Sequence, residues 1–104
     1  MIRITIVPRA GINLYGAVVK KEVVLSRSGK GTLYRSGRKM KDYEKWAHKS
    51  YNGWIWIEKC IGQVVVAAVQ SRKEGHDNQL LGSFVAFLDR HFRADIVSIT
   101  INYE

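Results

Sequence analysis

The sequence predicts an α+β domain, a mostly antiparallel sheet of five or six strands with one main helix packed on one face. Three stretches carry that prediction. Val97, Ile99, Ile101 and Tyr103 alternate with Ser98, Thr100 and Asn102, the period of a strand with one buried side. Leu81, Phe84, Val85, Leu88 and Phe92 recur at helical spacing and predict a helix over about 78–92. Val64 to Val69 has no polar alternate positions, as expected of a central strand covered on both faces. With 104 residues, the chain can build one core and not two, so residues 1–104 are read as a single domain.

Taken in order, Ile2, Ile4 and Ile6 alternate with Arg3, Thr5 and Val7 until Pro8 ends the ladder, which predicts a first strand. Gly11 to Gly16 reads as a loop. Ala17 to Arg27 returns to β-branched residues, Val18, Val19, Val23 and Val24, and is predicted as a strand on an edge or a solvated face because Lys20, Lys21 and Glu22 interrupt it. Ser28-Gly29-Lys30-Gly31 supplies the glycines of a tight turn, after which Thr32, Leu33 and Tyr34 would pair back as a hairpin arm. Met40, Tyr43, Trp46 and Ala47, spaced by three and four, predict a short second helix over about 40–49.

Asn52-Gly53 is a turn signal, followed by strands over Trp54–Glu58 and Gln63–Ser71 joined at Ile61-Gly62. Arg72 to Asp77 reads as a polar loop, with Asp77 or Asn78 as N-cap of the main helix and Arg90, His91 and Arg93 at its C-terminal end, where cations oppose the helix dipole favourably. A strand, a helix and a strand in succession predict a crossover that leaves the Val64 and Val97 strands parallel, though not necessarily adjacent.

Charge is distributed unevenly. Ten of the seventeen Lys and Arg residues lie between Lys20 and Lys49 against three acids, so that segment carries +7 of the formal +8. Like charges packed this closely repel unless a counter-ligand or salt screens them, which points to nucleic acid or another polyanion as partner. Six of the eleven aromatics lie between Tyr34 and Trp56, and a cation beside a flat ring is the pairing from which single-stranded nucleic-acid grooves are built. The candidate contacts are Arg27, Lys30, Arg35, Arg38, Lys39, Lys41, Lys45 and Lys49 for phosphates, with Tyr34 and Tyr51 as stacking platforms. Trp46, Trp54 and Trp56 are assigned to packing in the core or on the sheet.

Two other functions compete. Edge strands such as Ile2–Val7 or Val97–Tyr103 would suit a protein-interaction module or a homodimer. A small ribonuclease would use His48 beside Lys45 and Tyr51, although Glu44 and His48 at helical spacing are explained as simply by a surface pair. Gly29-Lys30-Gly31-Thr32 fails as a P-loop, because Val24 stands where its first glycine is needed. One cysteine and three widely spaced histidines contain no short metal-ligand pair, and no cofactor signature is present. The six-residue apolar run at Val64–Val69 is far below the roughly 20 residues that span a bilayer, and the single Cys60 with no secretory signal predicts a reducing, cytoplasmic setting.

Overall fold

A computed structural model describes residues 1–72 and 75–104; residues 73 and 74, inside the stretch predicted as a polar loop, lie outside the described residues. The elements are β1 (Ile2–Pro8), α1 (Leu14–Arg27), β2 (Leu33–Arg35), β3 (Tyr43–His48), β4 (Trp54–Lys59), β5 (Val65–Gln70), α2 (His76–Phe92) and β6 (Ile96–Tyr103). The six strands form one sheet in the order β2-β3-β4-β5-β1-β6, and every neighbouring pair is antiparallel. β1 lies between β5 and β6 and runs against both, so those two are parallel, as the crossover rule predicts, and are not adjacent. The same placement removes Ile2–Val7 from the candidate edges.

Both helices cover one face of the sheet. On that face Ile2, Ile4 and Ile6 of β1, Ile55 and Ile57 of β4, and Val65, Ala67 and Val69 of β5 are buried. Leu80, Phe84, Leu88 and Phe92, each four residues apart, are the buried positions of α2. Trp46 of β3 is fully buried, with the rings of Phe84 and Phe87 edge-on to it at 6.1 and 5.3 Å. Each such side chain withdrawn from water contributes roughly 1.5–3 kcal/mol, which is why the core lies on this side.

Two predicted elements are different in kind. The stretch predicted as a strand over 17–27 lies wholly within α1, from its fourth residue to its end. Asn13 caps it, its Oδ1 accepting from the Gly16 amide at 3.1 Å, and Leu14, Tyr15, Val18 and Glu22 are the buried positions. Of its valines only Val18 is buried, on the face that packs on the sheet with Leu14, while Val24 is exposed, so helix packing overrides the β preference of the residue type. Gly29 is then not a hairpin turn. Its amide donates to the Ser26 carbonyl at 3.1 Å and the Lys30 amide to Leu25 at 2.8 Å, the two bonds of a Schellman C-cap with Gly29 at φ +69°.

The helix predicted over 40–49 is β3. Its true period is two: Glu44, Trp46 and His48 point to the core while Tyr43, Lys45 and Ala47 point away. The indole Nε1 of Trp46 donates to the Glu44 carboxylate at 2.9 Å, and the Ser50 amide donates to His48 Nδ1 at 2.9 Å, so both polar residues can occupy core positions. Thr32–Tyr34 accordingly pairs with β3 rather than with the preceding segment: Leu33 faces His48 and Tyr34 faces Ala47. The N-cap of α2 is Gly75 at φ +87°, and not Asp77 or Asn78. The β3–β4 turn depends on Gly53, where a Cβ would lie 2.5 Å from the Gln70 carbonyl oxygen and 2.7 Å from Leu80.

Candidate functional site

With both helices on one side, the opposite face of the sheet has no covering element among the described residues. Alternation and register determine what it presents. β3 sends Tyr43, Lys45 and Ala47 there, and Lys45 pairs with Trp56 and Tyr43 with Glu58 of β4. Trp56 pairs with Ala68 and Glu58 with Val66 of β5, Ala68 with Arg3 and Val66 with Thr5 of β1, and Thr5 with Thr100 of β6. Tyr34 of β2, opposite Ala47, completes the row at the other edge and is 38% exposed.

The middle of this face holds a tight group of rings and cations. The Lys45 ammonium lies 4.3 Å from the Trp54 ring centroid and 5.2 Å from that of Trp56. The Arg72 guanidinium lies 4.2 Å from the Trp54 ring. Tyr43 and Trp56 are 5.5 Å apart at an interplanar angle of 31°. The negative faces of the indoles hold both cations against the sheet, so charge and flat surface are presented together. Burial above all, and then the Glu58 charge, raises the Tyr43 pKa, keeping its hydroxyl a donor. A shallow cleft of about 350 Å³ lies alongside, lined by Arg3, Tyr43, Trp56, Glu58, Cys60, Val66 and Ala68. Burial and Glu58 push the Cys60 thiol up, the opposite of what a nucleophilic cysteine needs.

The residues singled out from the sequence are distributed around this face. Tyr34 and Lys45 are on it. Arg38, Lys39 and Lys41 lie in the exposed segment that leads into β3, and Lys49 is exposed just past its other end. Arg35 is exposed on β2 at the position opposite Trp46, hence on the helix side of that edge, and Arg27 and Lys30 are exposed at the C-terminal end of α1. Tyr51 is half-buried between two histidines, its ring 4.7 Å from His48 and 5.5 Å from His76. Burial lowers the His48 pKa and its Nδ1 is occupied by the Ser50 amide, so this imidazole is neutral and tied into the β3–β4 turn.

Tyr43, Trp54, Trp56 and Arg72 are the residues the sequence reading did not assign to the site. The available signal was the apolar run Val65–Val69 of β5. Val65, Ala67 and Val69 are buried under the helices, whereas Val66 and Ala68 are only half-buried, because β5 is central but covered on one face alone. Among the described residues there is no group of three or more His, Cys, Asp or Glu placed to hold a metal ion, and no helix is long and apolar enough to cross a membrane. No family model, curated protein or solved structure matches the chain.

Proposed function

We propose that this protein binds single-stranded nucleic acid, RNA or DNA, across the open face of its sheet. The observation that carries the reading is the cluster of Tyr43, Trp54 and Trp56, with Lys45 and Arg72 held against the indoles, on a face that no element covers among the described residues. Unpaired bases stack on such rings whatever their identity, and the cations meet the phosphates between them. Arg38, Lys39 and Lys41 before β3 and Lys49 after it place further positive charge at both ends of a six-residue strand, roughly 17–20 Å apart. Tyr34 extends the platform toward β2. His48, the imidazole that cleavage would call on, lies on the helix side of β3 with its Nδ1 taken by the Ser50 amide, which favours binding over cleavage.

Titration of oligonucleotides against intrinsic tryptophan fluorescence tests the reading. If four to six phosphates are neutralised, log K falls against log salt with a slope of about −3 to −4. Absence of binding at low salt, or an affinity indifferent to salt, refutes it.

A second reading rests on β6. This edge strand is eight residues long and contains no Lys, Arg or Pro, the residues that usually blunt an edge, and Val97 and Tyr103 are exposed on it. Pairing of β6 with β6 of a second copy would make a homodimer. Light scattering on the eluting protein distinguishes the two states, since a monomer has a mass of 11.9 kDa.

A further inference from the structure

On the helix side of the sheet, α1 and the segment leading into β3 enclose a cleft of about 430 Å³, within the range of small-ligand sites. Val19 and Val23 of α1 and Met40 supply apolar walls, and Lys20, Lys39 and Lys41 are exposed at its rim. Three polar groups belong to the same lining: Tyr15, Asp42 and Glu44. Tyr15 is only 8% exposed, and its hydroxyl is fully buried with no hydrogen-bond partner among the described residues. A buried hydroxyl left unpaired costs about 1–3 kcal/mol, so a group that none of the described residues satisfies marks a place where a ligand atom would be welcome. Glu44 is also buried, its Oε1 accepting from the Trp46 indole.

We infer that this cleft is a base pocket for a guanine nucleotide. The chemistry of the lining selects the base. Glu44 and Asp42 carboxylates only accept hydrogen bonds, whereas the Tyr15 hydroxyl is available to donate. Burial first, then the charges of Glu44 and Asp42, pushes the Tyr15 pKa up to about 12, so the proton is present at neutral pH. Guanine carries two adjacent donors, N1–H and the 2-amino group, beside the O6 acceptor. A carboxylate takes the two donors and the hydroxyl serves O6, while the aliphatic walls flank the ring and the rim lysines meet the phosphate. Adenine offers the carboxylate one exocyclic amine only, and uracil a single ring N–H between two carbonyls. The pocket lies on the opposite side of the sheet from the open face and does not rest on the proposal for that face. Lys39 and Lys41 belong to the segment that runs from this cleft to Tyr43, so a guanosine at the end of a bound strand and a free guanine nucleotide share the same recognition chemistry.

Calorimetric titration of the whole chain with GMP, AMP, UMP and IMP tests the inference, followed by matched single strands that differ only in whether they contain guanosine. GMP is expected to bind saturably and about tenfold or more tighter than IMP, which lacks the 2-amino group. Tyr15→Phe and Glu44→Gln should each weaken GMP by a similar factor. Tyr15→Phe also separates ligand from scaffold: removing an unpaired buried hydroxyl leaves the melting temperature unchanged or raises it. A preference for guanosine-containing strands that Tyr15→Phe abolishes, without measurable GMP binding, supports the pocket with a strand as its source. Neither GMP binding nor a guanosine preference overturns the pocket, and leaves the open-face proposal standing if both strands still bind. Equal affinity for GMP and IMP, or GMP binding indifferent to both substitutions, overturns it as well.

Discussion

Trp46 and Trp56 sit on adjacent strands of one sheet and face opposite ways. Trp46 is sealed: Phe84 and Phe87 close on it edge-on and its indole N–H is satisfied by Glu44. Trp56 is half-buried, beside Tyr43 and near the Lys45 ammonium, with no element of the described chain above it. The same side chain is core on one face and available surface on the other, because α1 and α2 both went to one side. A sheet whose central strand is apolar from Val65 to Val69 on both faces thus keeps apolar and aromatic area for something outside the chain.

The largest expected effect belongs to the covered face. Trp46→Ala should cost about 3–5 kcal/mol in urea unfolding, as a large cavity forms and the Glu44 carboxylate loses its buried donor. Trp56→Ala should cost less than half as much; equal losses would make the open face a structural surface and weaken its proposed role. Gly53→Ala comes next, at about 1–3 kcal/mol, because a side chain at φ +133° also meets the Gln70 carbonyl and Leu80. In binding the order reverses. Trp56→Ala or Tyr34→Ala should weaken oligonucleotide affinity by about 1–3 kcal/mol while the fold persists. Lys45→Gln should act more gently, reducing the salt slope by about one.

The smallest effect is in pH dependence, and it too belongs to the covered side. Burial lowers the pKa of His48; it also lowers that of His91, with help from Lys21 and Arg90. Unfolded histidine titrates near about 6.5, so as pH falls the unfolded chain takes up protons first. Stability is therefore complete above about pH 6.5 and declines as pH drops toward the folded pKa values. Melting temperatures between about pH 8 and about pH 5 should show the decline, and His48→Asn should flatten it in part, since His91 remains.

How much of this was legible in the sequence depended on whether each element's period was clean. β1, β6 and α2 have unbroken patterns, and they are where the sequence places them. β3 was misread because its inward positions include Glu44 and His48, polar residues whose burial depends on Trp46 and Ser50 as partners, which no periodicity can reveal. α1 was misread through its valines, although Asn13 and the four-residue spacing of Leu14, Val18 and Glu22 were there to be read. The site followed the same logic. The lysines of the basic segment were visible as charge, but their division between the open face, the rim of the Tyr15 cleft and the end of α1 follows from the fold. Trp54 and Trp56 were assigned to packing since a strand's residues do not say which of its faces a helix will cover.

β1 is the first strand of the chain and yet lies between β5 and β6, with Ile2 facing Val69 on one side and Tyr103 on the other. A chain synthesised from its N-terminal side therefore releases an apolar segment, Ile2, Ile4 and Ile6, long before either neighbour exists. The antiparallel run from β2 to β5 can form earlier, because its pairings close short loops. Pairing of β1 with β6 spans most of the chain's length, the kind of distant pairing that slows folding. Until then Ile2, Ile4 and Ile6 lack both of the strands that flank them in the sheet.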